Sequence, residues 1–541
     1  MRDSVFVRAI PILLMLSPFA IAVNFQTAGP VDSTADSDGL NKFDRVPRVA
    51  TDGAGHWVAV WETSELASGP NPVDLDIAVS RSSDNGATWS TPSHVAKNAG
   101  IDDAFPAIAT DGNGTWVCAY TSQSVEEPYH RAVQTCKSTD NGATWSPPVD
   151  ANPSDPIGPY VYSPSIAADT AGNWVLVWST TYTLLSDPDP LVGDDDIAVS
   201  TSPNGTDWSA PARVNSAYAT DDLAGDAWPQ VATDDNGVWV CVWRSTYKPT
   251  DPFHGDDDIY FSRSTTNGAT WTAQSVLHPE FDTETFSDEY PRVAADGNGS
   301  WMVTWEAPDV AFGVDKVWTS VSMDDGMSWS PRKRVSDEPP LGDSQRPVVA
   351  SGGNGEWLVV WSRHLFQKGG HSDYDIAKSE TSDDGDNWTA VENLNSNATD
   401  DLGDDRDPDI ATDGAGHWVV LWGTEDTEHS DQDVWRAISG GAAGSLTLTV
   451  PNGGEKWRIG TKHAIEWNSS GNVGANVKLE LLRNGGVIDV IKASTPNDGK
   501  QKWKLPNSLS PGGGYKVRVT SKSDGAIRDT GDGAFKVKEA K

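Results

Sequence analysis

Seven copies of one short segment run through most of this chain of 541 residues. The first copy, PRVATDGAGHWVAVW, begins at Pro47, and the others begin at Pro106, Pro164, Pro229, Pro291, Pro347 and Pro408. Each copy pairs two β-like runs around an Asp/Gly turn, which is typical of a β-hairpin. A hairpin that recurs every 56–65 residues predicts a series of small sheets rather than one large core.

A second repeated motif, Ser-x-Asp-x-Gly-x-x-Trp, follows six of the seven hairpins in full or altered form. Its aspartates are Asp84, Asp140, Asp324 and Asp383, and Thr381 replaces the serine in the last of these. A short polar side chain in a turn commonly bonds the backbone of that turn, and a tryptophan beside it packs between sheets. We therefore predict a structural role for the four aspartates.

The two motifs together predict an all-β chain folded as a β-propeller, in which each blade is a four-stranded antiparallel sheet. Seven copies predict seven blades, with six as the alternative. The copy that begins at Pro408 has no turn motif and no fourth strand. We predict that residues 24–33 supply this strand and close the ring, since closure removes the free edges of the sheets.

The Ser-x-Asp-x-Gly-x-x-Trp repeats resemble the Asp-box, or BNR, repeats of the sialidase-like propellers, and the resemblance covers residues 23–440. It implies a propeller fold. Asp boxes occur both in sialidases and in propellers without that activity, so the resemblance leaves catalysis and binding open. Sialidases of this type have six blades, whereas seven copies are present here.

The resemblance also implies where a sialidase site would lie. Such enzymes hold the substrate carboxylate with three arginines and use a tyrosine nucleophile with a glutamate partner. Arg45 matches the first arginine loosely, through Arg45-Val46-Pro47. The full set of candidate catalytic residues is Arg45, Glu62, Tyr247, Tyr290, Glu306, Arg346 and Arg406.

Acidic clusters lie in the long loops that precede the third or the first strand of several copies. Adjacent carboxylates are hard oxygen ligands of the kind that calcium binds, although their spacing matches no EF-hand. We predict calcium in these loops, and solvated loops without metal are the alternative. The aspartates concerned are Asp194, Asp195, Asp196, Asp256, Asp257, Asp258, Asp400, Asp401, Asp404 and Asp405.

The N-terminal residues 1–22 predict a secretory signal peptide. Arg2 and Arg8 precede an apolar run that ends in Ala20-Ile21-Ala22, and the run is too short and too Pro-interrupted for a membrane span. No later stretch of the sequence predicts a transmembrane segment. We therefore expect a secreted protein, extracellular or associated with a cell surface.

Residues 441–541 differ in composition from the rest of the chain. From residue 445 they carry 16 Lys and Arg against 9 Asp and Glu, whereas residues 1–440 carry 24 against 69. Alternating strands split by Gly-rich turns predict a small β-sandwich. The segment from Leu448 to Trp467 resembles the Ig-like domain of the Ser/Thr-rich GPI-anchored membrane family, which implies a surface-associated accessory domain.

The net charge of −38 excludes partners that need a basic surface, nucleic acid above all. We predict a propeller that binds an extracellular glycan or a cell-surface protein through its acidic variable face. The alternative is an exo-α-sialidase or a related glycoside hydrolase. The site decides between them, because many functions share this fold.

Overall fold

The computed structural model describes residues 23, 25–26, 28–31, 43–64, 75–96, 101–124, 131–152, 161–181, 195–215, 225–247, 256–278, 286–309, 313–336, 342–364, 373–395, 403–426, 431–439, 445–470, 473, 476–497, 499–522 and 527–540. The predicted signal peptide lies outside these residues. The described part is all-β, as predicted, and contains no helix. It therefore holds no helix long and apolar enough to cross a bilayer.

Strands β1–β28 build seven four-stranded sheets in the described residues up to 439. The first fourteen are β1 (Gly29–Pro30), β2 (Asp44–Thr51), β3 (Trp57–Thr63), β4 (Asp76–Ser82), β5 (Ser93–Ala96), β6 (Ile101–Thr110), β7 (Trp116–Ser124), β8 (Arg131–Ser138), β9 (Val149–Asp150), β10 (Val161–Ala168), β11 (Trp174–Thr180), β12 (Asp196–Ser202), β13 (Ala212–Arg213) and β14 (Asp226–Thr233). The next fourteen are β15 (Trp239–Ser245), β16 (Asp258–Ser264), β17 (Ser275–Val276), β18 (Glu289–Ala295), β19 (Trp301–Pro308), β20 (Asp315–Ser322), β21 (Lys333–Arg334), β22 (Asp343–Gly353), β23 (Glu356–His364), β24 (Tyr374–Thr381), β25 (Glu392–Asn393), β26 (Asp405–Thr412), β27 (Trp418–Asp426) and β28 (Asp431–Ser439).

Six of these sheets use four consecutive strands, such as β2-β3-β4-β5, and every strand pairs antiparallel with the next. The second strand of a sheet is largely buried. All seven residues of β3, WVAVWET, are buried. The repeated Trp and Val residues are therefore core residues packed between neighbouring sheets, and the sheets have the form of propeller blades.

The seventh sheet has the order β1-β28-β27-β26. Gly29 pairs with Arg436 and Pro30 with Trp435, while the backbone N–H of Val31 donates to Val434 O at 2.9 Å. The segment after the predicted signal peptide thus provides the fourth strand of the sheet that begins near Pro408. First strands of consecutive sheets contact each other, and β2 also contacts β26.

Each of the six Asp-box turns packs against the sheet before its own. Gly86 lies against Val419, and a Cβ added at Gly142 would lie 2.9 Å from Val58 Cγ2. Inside the turn, Asp140 Oδ1 accepts hydrogen bonds from Ser138 Oγ and the Thr144 N–H, both at 2.8 Å. Hydrogen bonds from Thr144 lower the pKa of the Asp140 carboxyl to about 2. Asp84, Asp324 and Asp383 accept the corresponding bonds in their own turns.

The remaining strands form two sheets around one hydrophobic core, made of residues between Leu446 and Val537. They are β29 (Ser445–Val450), β30 (Lys456–Arg458), β31 (Lys462–Ser470), β32 (Asn476–Arg483), β33 (Gly486–Pro496), β34 (Lys500–Lys504), β35 (Gly512–Ser521), β36 (Arg528–Thr530) and β37 (Phe535–Lys538). The three-stranded sheet β29-β31-β34 packs against the larger one, and Trp457, Trp467 and Trp503 lie in the core.

Candidate ligand-binding site in the central cavity

A β-bulge interrupts the first strand of each of the seven sheets at the same place. The pairing with the second strand shifts register there, for example between Arg45 and Arg48. The residue at the bulge has a positive φ between 51° and 54° and precedes the repeated proline. These seven bulge residues are Val46, Phe105, Ser163, Trp228, Tyr290, Arg346 and Asp407.

Positive φ is costly for bulky residues, and a bulge redirects the side chain that it carries. Seven such positions at one register therefore indicate a constraint that the whole assembly imposes. All seven bulge residues line one cavity of about 450 Å³, together with residues that follow each proline. Phe105 is 45% exposed and Arg346 is also exposed, so the cavity opens to solvent. Its volume lies within the range of small-molecule sites.

Two stacked aromatic rings form one side of this cavity, and an arginine lies against each of them. The ring centroids of Trp228 and Tyr290 are 4.1 Å apart, with an angle of 20° between the planes. Arg244 Cζ lies 4.2 Å from the centroid of Trp228, and Arg346 Cζ lies 5.2 Å from that of Tyr290. These contacts hold four large side chains in fixed positions, because each ring contact is favourable on its own.

Two arginines and one aspartate line the cavity behind the bulge residues. Asp409 Oδ2 accepts a hydrogen bond from the Val49 N–H at 2.8 Å. Burial raises the pKa of the Asp409 carboxyl, although Arg48 and Arg292 oppose this shift. Burial, together with the neighbouring Arg48, lowers the pKa of the Arg292 guanidinium to about 9. With Arg346 and Asp407, the lining carries three arginines and two aspartates.

A second cavity, of about 480 Å³, adjoins the first and shares Val46, Phe105, Arg346 and Asp407 with it. Arg45 and Arg131 also line it, as do Glu62, Asp102 and Tyr162. Two of the three arginines predicted to clamp a substrate, Arg45 and Arg346, therefore lie along one cavity. The third, Arg406, lines neither cavity.

Each predicted arginine has a carboxylate partner. Arg45 Nε lies 2.8 Å from Glu62 Oε2, Arg346 pairs with Asp407, and Arg406 Nη2 lies 2.8 Å from Asp404 Oδ2. Arg406 also covers the ring of Tyr374, with Cζ 3.7 Å from the ring centroid. All three guanidinium groups thus lie beside a carboxylate of this chain.

The two predicted glutamates bind backbone amides of the following sheet. Glu62 Oε1 accepts the Phe105 N–H at 2.7 Å, and Glu306 accepts the Arg346 N–H. Both amides belong to bulge residues, so the glutamates satisfy the strained backbone at the cavity. Burial raises the pKa of the Glu306 carboxyl to about 8.

The two predicted tyrosines lie in different surroundings. Tyr290 lines the first cavity, and burial raises the pKa of its hydroxyl although Arg346 lies nearby. Tyr247 packs against the core of its sheet, where its carbonyl accepts the Tyr260 hydroxyl at 2.6 Å. In the part of the chain that the structure describes, neither hydroxyl donates to Glu62 or Glu306.

The acidic loops predicted to bind calcium are only partly described, since Asp194, Asp400 and Asp401 lie outside the described residues. The others have protein partners at several separate places. Asp195 accepts the Tyr162 hydroxyl, Asp196 pairs with Arg213 and Asn215, Asp257 pairs with Arg244, Asp404 with Arg406, and Asp405 with Asn395. Asp256 and Asp258 are buried.

Sequence reasoning missed most of the cavity. Phe105, Trp228, Arg292 and Asp409 were not among the candidate residues. The sequence feature that could have identified the cavity is the variable residue before each repeated proline. This residue has the same position on the first strand of every sheet, and in all seven sheets it lines the cavity.

Two family descriptions match separate parts of the chain. Residues 55–278 match the BNR repeat-like domain, and residues 450–530 match the Kre9/KNH-like N-terminal Ig-like domain. The resemblance read from the Asp-box repeats and from the C-terminal segment is thereby confirmed: the chain carries a BNR repeat-like domain and an Ig-like domain.

A curated relative is the protein named "Sialidase" from Bacteroides fragilis (strain YCH46), 23% identical over 320 residues. The match covers 54% of this chain, and the chain spans about half of the relative, 55% of its length.

Among solved structures, the Hadza microbial sialidase Hz136 is 18% identical, with a TM-score of 0.41 over 62% of this chain and 66% of that one. The NanB sialidase from Streptococcus pneumoniae is 13% identical, with a TM-score of 0.42 over 77% and 70%.

Proposed function

We propose that this protein is a secreted propeller that binds an extracellular glycan in its central cavity. The observation that carries the proposal is the ring of bulge residues. An exposed aromatic, Phe105, a fixed aromatic wall, Trp228 and Tyr290, and the polar Arg346 and Asp407 line one solvent-open cavity. A sugar offers both an apolar ring face and hydroxyl groups, and such a lining matches both.

The proposal includes a ring of seven blades closed through the N-terminal strand. The pairing of β1 with β28 and the contact of β2 with β26 support closure. A seven-bladed ring also accounts for the single cavity lined by the first strands of all seven sheets. We assign residues 23–440 to the propeller, and residues 441–541 to an accessory domain that holds the protein at a cell surface.

A glycan fits the cavity better than a protein partner does. The volume of about 450 Å³ suits a small ligand or a few sugar rings. The cavity also differs in charge from the rest of this acidic protein, because three arginines and only two aspartates line it. The cavity therefore admits acidic as well as neutral sugars.

Binding is favoured over hydrolysis by the partners of the candidate catalytic residues. Arg45, Arg346 and Arg406 each pair with a carboxylate of this chain. Glu62 and Glu306 accept backbone amides instead of hydrogen bonding a tyrosine. A nucleophilic tyrosine needs an adjacent base or a lowered pKa, whereas burial raises the pKa of the Tyr290 hydroxyl.

One observation supports the alternative of an exo-sialidase or related glycoside hydrolase. Arg45, Arg131 and Arg346 line the second cavity together with Glu62 and Asp102. Three guanidinium groups around one cavity are suited to a carboxylate ligand. The experiment must therefore measure turnover as well as binding.

The test is a glycan array, with neutral and sialylated glycans, followed by titration of the strongest hit. Phe105→Ala should lower the affinity about tenfold, because removing an exposed anchor at the centre of a site commonly costs more than 1 kcal/mol. Phe43→Ala is the matched control, since Phe43 is 37% exposed and lies outside both cavities. Its affinity should equal that of the unaltered protein.

A fluorogenic sialoside assay with the unaltered protein and Arg346→Ala decides between the two functions. We expect no turnover by either protein. Clear turnover that Arg346→Ala abolishes would replace the binding function with the hydrolase. Equal affinity of Phe105→Ala and Phe43→Ala for the array hit would instead remove the central cavity as the binding site.

A further inference from the structure

Three buried side chains meet where the fourth sheet of the propeller contacts the fifth. Asp258 opens β16, His278 follows β17, and Asp288 precedes β18 by one residue. One donor atom from each lies within 4.8 Å of the other two. All three side chains are buried, and neither His278 nor Asp288 belongs to the calcium ligands predicted from sequence.

We propose that this cluster, the Asp258–His278–Asp288 site, binds one divalent metal ion of the zinc type. Ligand atoms that lie 2.0–2.2 Å from one ion are separated from each other by roughly 3–4.5 Å. The three donor atoms lie within 4.8 Å of one another, and the hydrogen bond of 2.7 Å between His278 Nε2 and Asp288 Oδ2 would lengthen slightly when an ion replaces its proton. Two carboxylate oxygens and one imidazole nitrogen form a donor set that a divalent cation binds. Buried carboxylates need a positive charge or hydrogen bonds near them.

Two equivalent junctions in the same molecule show what the cluster looks like when its centre is an asparagine. Asn215 Nδ2 donates to Asp196 Oδ1 at 2.7 Å and to Asp226 Oδ2 at 2.8 Å. An amide nitrogen carries two hydrogens, so one asparagine satisfies both carboxylates. Asn395 Nδ2 does the same for Asp375 and Asp405, at 2.8 Å each.

Histidine replaces this asparagine at the third junction. Its Nε2 lies 2.7 Å from Asp288 Oδ2, and its ring stacks on Trp305 with an interplanar angle of 8°. A ring nitrogen carries one hydrogen at most, so it cannot bridge two carboxylates as an amide does. Asp288 is fully buried, and its Oδ1 has no hydrogen-bond partner within the described residues.

The donor set indicates the class of metal. Calcium and magnesium prefer oxygen ligands alone, whereas imidazole nitrogen with carboxylate oxygen suits zinc and related ions. Trp305 fixes the plane of the imidazole and excludes water on that side, as the surroundings of a structural metal commonly do. The ion would join the third and fourth strands of one sheet to the first strand of the next.

The cluster also lies next to the cavity. Asp257, the neighbour of Asp258, pairs with Arg244 at 2.8 Å, and Arg244 covers Trp228. A metal at this junction would therefore fix one end of the aromatic wall. This inference does not depend on the identity of the glycan, because its readouts are metal binding and stability.

The experiment uses the full chain without a histidine tag, treated with a chelator and dialysed against Zn²⁺, Co²⁺ or Ca²⁺ alone. We expect one equivalent of Zn²⁺ per chain. At a hundredfold excess over Kd, Zn²⁺ should raise Tm by about 5 °C, because the folded state alone holds the ion. Co²⁺ should give visible absorption bands of a nitrogen- and oxygen-ligated ion.

The deciding variant is His278→Asn, which copies the two asparagine junctions and should therefore fold. It should lose the Zn²⁺ response and the Co²⁺ bands, while His463→Asn, in the C-terminal domain, should keep both. The proposal is overturned if the unaltered protein binds less than 0.2 equivalents (about a fifth) of Zn²⁺. It is also overturned if His278→Asn responds equally, or if only Ca²⁺ raises Tm.

Discussion

Single residues at the cavity have a strained backbone and a side chain that makes several favourable contacts. Arg346, for example, holds a strained backbone, pairs with Asp407 and lies over Tyr290. Its amide is bound by Glu306, a buried carboxyl whose pKa burial raises to about 8. The strain at the bulge is thus offset by a neighbour on the preceding sheet, at the cost of burying an acid.

Glu306 should make stability depend on pH. Its folded pKa lies above the ordinary value of 4.5, so its contribution is fully present below pH 4.5 and is lost as the pH rises to about 8. Glu306→Gln keeps an oxygen for the Arg346 amide and removes the charge. We expect it to raise the free energy of unfolding by about 1–3 kcal/mol at pH 8 and by little at pH 5, measured by denaturant titration.

Glu62→Gln is the control for this prediction, because Glu62 holds the equivalent amide but also pairs with Arg45. Removing its charge should give no gain in stability at either pH. The raised pKa of Glu306 would be contradicted if Glu306→Gln changed the free energy of unfolding by the same amount at pH 5 and at pH 8.

At the scale of a strand or turn, the Asp boxes have two roles: they stabilise their own turn, and they pack one sheet against its neighbour. The glycine of each box lies where a side chain would enter the neighbouring sheet, as Gly142 does against Val58. This explains why all six copies keep the glycine, although only four of them have the aspartate. The positive φ of Gly142, 76°, is a second reason.

Gly142→Ala should therefore lower the stability of the protein by more than the strain of a positive φ alone would. Its Cβ would lie 2.9 Å from Val58 Cγ2, and overpacking of this kind costs about 1–3 kcal/mol. Gly172→Ala is a matched control, because Gly172 has a φ of 87° and nothing within 4 Å of an added Cβ. Thermal melts should show a larger loss of stability for Gly142→Ala. Equal losses would mean that the turns do not hold neighbouring sheets together.

The sequence predicts these elements well because their chemistry is local. A turn that bonds its own backbone, such as the one around Asp140, needs only residues within a few positions. The bulges before the prolines escaped prediction for the opposite reason. A residue before proline is expected to be extended, and only the approach of seven first strands to one another places Trp228 or Tyr290 in a left-handed conformation. The cavity residues Arg48, Arg292 and Asp409 were missed for the same reason, since three different sheets bring them together.

At the scale of the whole molecule, stability should depend on a strand far away in sequence. Val31 donates its amide to Val434, and the Val23 amide donates to Glu380 at 2.8 Å. Deleting residues 23–35 together with the predicted signal peptide should lower Tm sharply and broaden the transition. If the ring is closed as proposed, the deletion opens it, and an opened ring exposes two edges and loses cooperative stacking of its sheets.

Deletion of residues 1–22 alone is the control and should leave Tm unchanged. A variant without residues 23–35 that melts at the same temperature as this control would show that the seven sheets are stable without closure. The C-terminal sheets have their own core, so their transition should be unaffected in either variant.

The seven bulge residues differ in size, polarity and charge, although their φ angles are nearly the same, 51–54°. In the proposed function, recognition and folding are thus encoded at separate positions of the same strand. Substitutions before the prolines can accumulate during evolution without disturbing the hydrophobic strands behind them. The same separation makes the protein a scaffold for directed evolution, in which seven codons are randomised together and new specificities are selected on an unchanged framework.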